Sequence, residues 1–126
     1  MYLLDTDTLL WFLFENDNLS QKAQETISSN PNKIFVSHIS FWEIAIKIRI
    51  GKLKYSYNTY ELIKLCQHEG FDQLPVNLRH IHETSLLPLI HRDPFDRMPV
   101  AQAKVEGMTL ITHDQYIPKY PIETVW

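Results

Sequence analysis

Short apolar runs, each handed on to a stretch of helical pattern, constrain this chain more than any single motif does. Tyr2-Leu3-Leu4-Asp5, Ile34-Phe35-Val36-Ser37 and Met108-Thr109-Leu110-Ile111-Thr112 are of strand length, and none keeps a strict polar–apolar alternation. A strand with one wet face alternates, whereas a run that is apolar nearly throughout is buried on both faces. Parallel strands cannot be joined by tight turns; they need crossovers, which the intervening helical segments supply. The expected architecture is α/β, a three-layer α/β/α domain around a mostly parallel sheet of four to five strands. At 126 residues the chain, 1–126, suits one domain.

The helical segments carry their own punctuation. Thr8 to Phe14 is apolar on almost every side, and Ser20 starts an amphipathic helix to about Ser28, stopped by Asn30-Pro31-Asn32. A helix from Ser40 to Ile50 is closed by Gly51 and carries Lys47, Arg49 and Lys52 where the dipole favours cations. Tyr60 to Glu69, ended by Gly70, and Asn77 to Leu87, stopped by Pro88, read as two more, with an edge strand over Phe71 to Val76 between them. Asp93 caps a helix that has Pro94 at its first position, runs to Glu106 and closes at Gly107. Pro99 inside it lacks an N–H and crowds the carbonyl four residues back, which predicts a local kink. Ile122 to Val125 is the last expected strand.

Hydrophobic residues make up 44% and charged residues 21% of the chain, which excludes a disordered or low-complexity class. The single cysteine, Cys66, excludes an internal disulfide framework and reads as a small buried hydrophobe in a reducing compartment. No apolar run approaches the roughly 20 residues of a membrane span. The N-terminus lacks a basic region ahead of an apolar stretch, so a cytoplasmic protein without a membrane partner is expected. A net charge of −3 gives no general attraction to nucleic acid, which would have to be held by local patches.

Against that background four acids stand out, Asp5, Glu43, Asp96 and Asp114, each at the end of an apolar run or inside one. Each has an ordinary role open to it. Asp5 can cap a helix in Asp5-Thr6-Asp7-Thr8, Glu43 can pair with Lys47 one turn on, Asp96 can complement a helix dipole and Asp114 can make a turn. Glu43 is the hardest to explain away, because its helix has almost no polar face to hold it. Taken together, clustered carboxylates repel, so they protonate or recruit a cation. Oxygen-only ligands open to water suit Mg²⁺ or Mn²⁺, whereas the histidines and the lone cysteine form no zinc spacing.

The segments LLDTDTLLWFLF, VSHISFWEIAIKIRIGKL and HRDPFDRMPVAQAKVEGMTLITHD, in this order, resemble PIN-domain proteins of the VapC-like toxin type over essentially the whole chain. The resemblance implies a small parallel-sheet nuclease fold, Mg²⁺- or Mn²⁺-dependent endoribonuclease activity, a cognate antitoxin and a homodimer. The family's four acids fall on Asp5, Glu43, Asp96 and Asp114; Thr6 and Thr112 match polar positions of the same pocket, and Asp93 a less essential acid. Asp7 stands where such toxins have His, Asn or Ser, and Pro99 where they have an aliphatic residue.

On that footing Asp5, Asp96 and Asp114 are expected to hold the metal, and Glu43 to orient or deprotonate water. Lys47, Arg49, Lys52 and Lys54 form the only dense basic run, and with Arg92 and Arg97 they are candidate RNA contacts. Tyr55, Tyr57 and Tyr60 offer base stacking or, alternatively, packing, and His113 a phosphate contact. A rival class rests on Asp5-Thr6-Asp7-Thr8, a D-x-D-x-T pattern in which a haloacid-dehalogenase-like phosphatase would use Asp5 as nucleophile and Asp7 as general acid. A second rival is a non-catalytic binding module in which the acids hold a structural cation.

Overall fold

The computed structural model describes residues 1–126. Five parallel strands, β1 (Tyr2–Leu4), β2 (Ile34–Ser37), β3 (Asp72–Leu74), β4 (Thr109–Ile111) and β5 (Thr124–Val125), lie in the order β3-β2-β1-β4-β5. The sheet is parallel throughout, and β3 is indeed an edge. Six helices join the strands: α1 (Thr6–Leu13), α2 (Gln21–Ser28), α3 (His38–Arg49), α4 (Thr59–His68), α5 (Leu78–Thr84) and α6 (Pro94–Glu106).

The pleat explains the apolar runs. Leu4, Ile34, Val36 and Ile111 point to one face, where they meet Leu9, Ile27, Ile44 and Leu62 of α1 to α4. Leu3 and Leu110 point to the other, against Val100, Ala101 and Ala103 of α6. Strand residues therefore need to be apolar in both phases of the alternation, and each fully buried aliphatic contributes about 1.5–3 kcal/mol.

Several element ends differ from the sequence reading for local reasons. The first helix starts at Thr6 because the Asp5 carboxylate already accepts from the Thr8 N–H at 2.9 Å. The third starts at His38 because the Ser37 hydroxyl accepts from Ile39 N. Helix α5 stops at Thr84, three residues short of Leu87, because the hydroxyls of Thr84 and Ser85 turn back to the carbonyls of Ile81 and His82. The final strand shrinks to two residues because the Ile122 N–H is spent on Tyr120 O at 2.8 Å. Helix α6 runs through Pro99 without interruption, capped by Asp93 at its start and closed at Gly107, whose φ of 67° only glycine adopts freely.

The order of strands creates the crevice. From β1 the chain moves one way to β2 and β3, then returns to the other side of β1 for β4 and β5. The C-terminal ends of β1 and β4 lie side by side at this reversal, with Leu4 opposite Ile111. Such reversals leave an opening beyond the strand ends. The Ile111 carbonyl locks the corner, taking the Asp5 N–H at 3.3 Å and the Thr8 hydroxyl at 3.0 Å. No helix is long and apolar enough to cross a membrane.

Candidate functional site

A cavity of about 150 Å³ opens at that reversal, and six acids line it: Asp5, Asp7, Glu43, Asp93, Asp96 and Asp114. Thr6, Lys47, Phe95, Pro99, His113 and Ile117 complete its wall. Each acid arrives by a local rule. Asp5 caps α1 straight after β1, Asp114 follows β4, and Glu43 projects from α3. Asp93 accepts from Phe95 N at 2.8 Å as the cap of α6, which places Asp96 in that helix's first turn. Pro99 shares the wall with Asp96 and does not turn it away.

Burial and the crowding of like charge show in the protonation of the site. Burial, then the neighbouring charge of Asp93, pushes the Asp96 carboxyl up to about 6, with Asp114 and Glu43 adding to the rise against the opposing effect of His91. Burial also raises Asp5, against hydrogen bonds from Thr112 and Thr8 that favour the anion. Burial alone would raise Asp114 too, but hydrogen bonds from Tyr116 N and His91 outweigh it and hold that carboxyl below its ordinary value. One lysine enters the cavity. Lys47 Nζ lies 2.8 Å from Glu43 Oε2, and although burial disfavours its charge, this pairing and the charges of Asp7 and Asp93 raise it further.

The supporting residues divide cleanly. The buried Thr6 hydroxyl donates to Ser40 Oγ at 3.0 Å, tying α1 to α3 beneath the site. Thr112 lies behind the wall, its hydroxyl accepting from Asp114 N at 3.1 Å. Asp7, the unexpected acid, has His113 Nε2 at 3.1 Å from its Oδ2, and the His113 ring packs against Trp11 and Trp126. His113 is therefore engaged with Asp7 in the cavity wall.

Of the basic residues expected at the surface, Arg49, Lys52, Lys54 and Arg92 are exposed and lie outside the cavity. Arg97 is a correction. Its side chain is buried, with Nη1 donating to the carbonyls of Pro88 and His91 and Nη2 to those of Thr84 and Leu87. It staples the α5–α6 connection and presents nothing to a nucleic acid. Tyr55 stacks on Phe14 at 4.5 Å, the packing alternative, and Tyr60 stays exposed. Cys66 is buried, and burial with the nearby charge of Glu69 pushes its thiol up to about 12.

Two participants were not legible in the sequence. His91 Nε2 sits 2.9 Å from Asp114 Oδ2, and the Tyr120 hydroxyl sits 2.9 Å from His91 Nδ1. Neither has a motif. The partners are 23 and 29 residues apart, so only the strand order brings them together.

The phosphatase reading needs a lysine followed by a paired acidic motif; the lysine that enters the cavity, Lys47, is held by Glu43, and after Lys104 come only Glu106, Asp114 and Glu123, none so paired. Lys104 itself pairs with Glu83 on α5, away from the cavity.

Carboxylates are hard oxygen donors, and the site holds no thiol, which fits Mg²⁺ or Mn²⁺. No three His, Cys, Asp or Glu side chains are close enough to hold an ion as they stand. That openness suits a cation that keeps several waters and takes only one or two carboxylates directly.

Comparison with known proteins agrees with this fold. A chain of VapBC2 from Rickettsia felis, solved bound to a DNA fragment from their promoter, superposes with a TM-score of 0.72 at 15% identity, covering 99% of this chain and 98% of that one. DNA-bound VapBC from Salmonella typhimurium gives 0.70 at 16% identity, covering 98% and 96%. FitAcB from Neisseria gonorrhoeae gives 0.69 at 15% identity, covering 100% and 97%. At such identities the likeness is one of fold. No curated protein sequence matches the chain. The PIN-domain family model matches residues 2–123, and the chain belongs to the PIN-domain family.

Proposed function

We propose that this chain is a Mg²⁺- or Mn²⁺-dependent endoribonuclease, the toxin of a toxin–antitoxin pair, held inactive by its cognate antitoxin. The observation that carries the reading is the gathering of six acids around one cavity at the sheet reversal, with Lys47 as their one lysine. A site of that composition disfavours an anionic substrate until a cation enters it. Solved structures of the same fold come from VapBC and FitAB assemblies, which supports an antitoxin partner.

Asp5, Asp96 and Asp114 would hold the cation, directly or through water. When bound, the ion supplies Lewis-acid activation of water and offsets charge that builds on the phosphodiester oxygens. The chain's own residues do the rest. Glu43, 12% exposed, has Oε2 occupied by Lys47 and leaves Oε1 to orient water and take its proton. Lys47 keeps that carboxylate aimed into the cavity. Asp93 and Thr6 serve by holding the starts of α6 and α1 in place. Arg49, Lys52, Lys54 and Arg92 contact the RNA backbone and position it without reading its sequence.

The test is incubation of the purified protein with total RNA and Mn²⁺, followed by mapping of the new ends. Attack by water with the 3′ oxygen leaving produces a 5′-phosphate and a 3′-hydroxyl, and Asp96→Asn abolishes cleavage with the fold intact. Products bearing 2′,3′-cyclic phosphates would refute the mechanism. Cleavage that persists in Asp96→Asn refutes the site, and a wild type that cuts nothing favours the binding-module reading.

A further inference from the structure

Asp114 is the acid of the cavity paired with a histidine whose other ring nitrogen also has a hydrogen-bond partner. Its Oδ1 accepts from Tyr116 N at 2.8 Å and its Oδ2 faces His91 Nε2 at 2.9 Å. An ionised carboxylate only accepts, so Nε2 donates to it. The Tyr120 hydroxyl lies 2.9 Å from Nδ1, within hydrogen-bond distance, and accepts from the His91 backbone N–H at 2.9 Å. Both ring nitrogens therefore have a partner. The two rings are stacked at 16° with centroids 5.6 Å apart, and Tyr120 is 3% exposed, so the imidazole rests on a buried ring.

This chain of contacts joins three segments that share no local motif: the linker before α6, the turn after β4 and the residue following the short 3-10 turn Ile117–Lys119. It ends on one of the three acids proposed to hold the cation. Asp114 shares the cavity wall with five other acids, and like charges repel, so a freely turning carboxylate would swing away from its neighbours and out of reach of a shared cation. Tyr116 N on one oxygen and His91 Nε2 on the other fix the carboxylate plane.

We propose that His91, locked by Tyr120, is a positioning residue that sets the Asp114 carboxylate for the divalent cation. The inference rests on the metal-site reading above and adds to it a role for two residues outside the acid set. Hydrogen-bond partners that orient metal-binding groups typically govern about 10- to 100-fold of metal affinity.

Mn²⁺ binding, followed by loss of the free-ion EPR signal, tests this without reference to activity. His91→Leu is expected to weaken binding by about 10- to 100-fold. His91→Gln, which keeps an N–H able to reach Asp114 Oδ2, recovers a measurable part of that loss. Tyr120→Phe keeps the stacked ring but releases Nδ1, and binds more weakly than wild type. Wild-type affinity in a folded His91→Leu overturns the proposal, as does His91→Gln that is no better than His91→Leu. Wild-type affinity in Tyr120→Phe overturns the lock even if His91→Leu fails to fold. Asp96→Asn separates the two levels: if the wild type takes up no Mn²⁺, or Asp96→Asn binds it equally well, the metal site itself is refuted.

Discussion

Asp96→Asn should make the metal-free protein more stable while destroying its activity, and the size of the gain follows from the site. An acid that ionises near 3.8 when unfolded and at about 6 in the fold is penalised whenever it is charged. The gap corresponds to about 3 kcal/mol at neutral pH. The carboxyl is only partly buried, so solvent screening reduces this to about 1.5 kcal/mol. Asparagine also gives up the favourable interaction of an acid with the first turn of α6, about 0.5 kcal/mol. The remaining 1 kcal/mol or so is about 4 °C in Tm for a domain of this size. The sign with pH follows from the raised value: the penalty is absent below the unfolded pKa near 3.8 and grows as pH rises through about 6. Thermal unfolding in chelator at about pH 7.5 should therefore show Asp96→Asn melting above wild type, with the gap narrowing near pH 4.5. Mn²⁺ should reverse the order, since a cation at 100 times its Kd stabilises the wild type by about 2.7 kcal/mol and the variant by less. A variant that melts at or below wild type in chelator at neutral pH would show that Asp96 is not strained by its neighbours.

Lys47→Met should cost about 1 kcal/mol in urea unfolding, because it leaves the nearly buried Glu43 carboxylate unpaired. Arg97→Lys should cost about 2 kcal/mol or more, since an ammonium cannot serve four carbonyls at once, yet leave the salt dependence of RNA binding unchanged. Arg92→Ala, by contrast, should leave stability unchanged and lower the slope of log affinity against log salt by about 1. Cys66 should resist a thiol reagent at neutral pH in the native protein and react only on unfolding, because burial keeps it protonated.

Much of the fold was legible because its rules are local. Apolar runs without alternation identified the buried strands, Asp93 with Pro94 marked the start of α6 and Gly107 its end, and all three depend on neighbours within one turn. The ends that moved, at Thr6, His38 and Thr84, were set by single side-chain hydrogen bonds that compete with the helix pattern. Glu43 was conspicuous for an energetic reason, since an acid in an apolar stretch needs a partner or a pocket, and it has both Lys47 and the cavity.

The order and chemical type of the elements, and the acids that punctuate them, were determined by the sequence alone, because helix periodicity, capping and burial are properties of adjacent residues. Tertiary structure decided which polar residues serve the site. Arg97 and Arg92 look alike in the sequence, yet one is buried under four carbonyls and the other is exposed. His91 had no visible role until β4 was placed beside β1 and carried Asp114 to within 2.9 Å of it. Contacts across 23 or 29 residues depend on strand order and on how each helix is turned toward the sheet, and no local pattern encodes those.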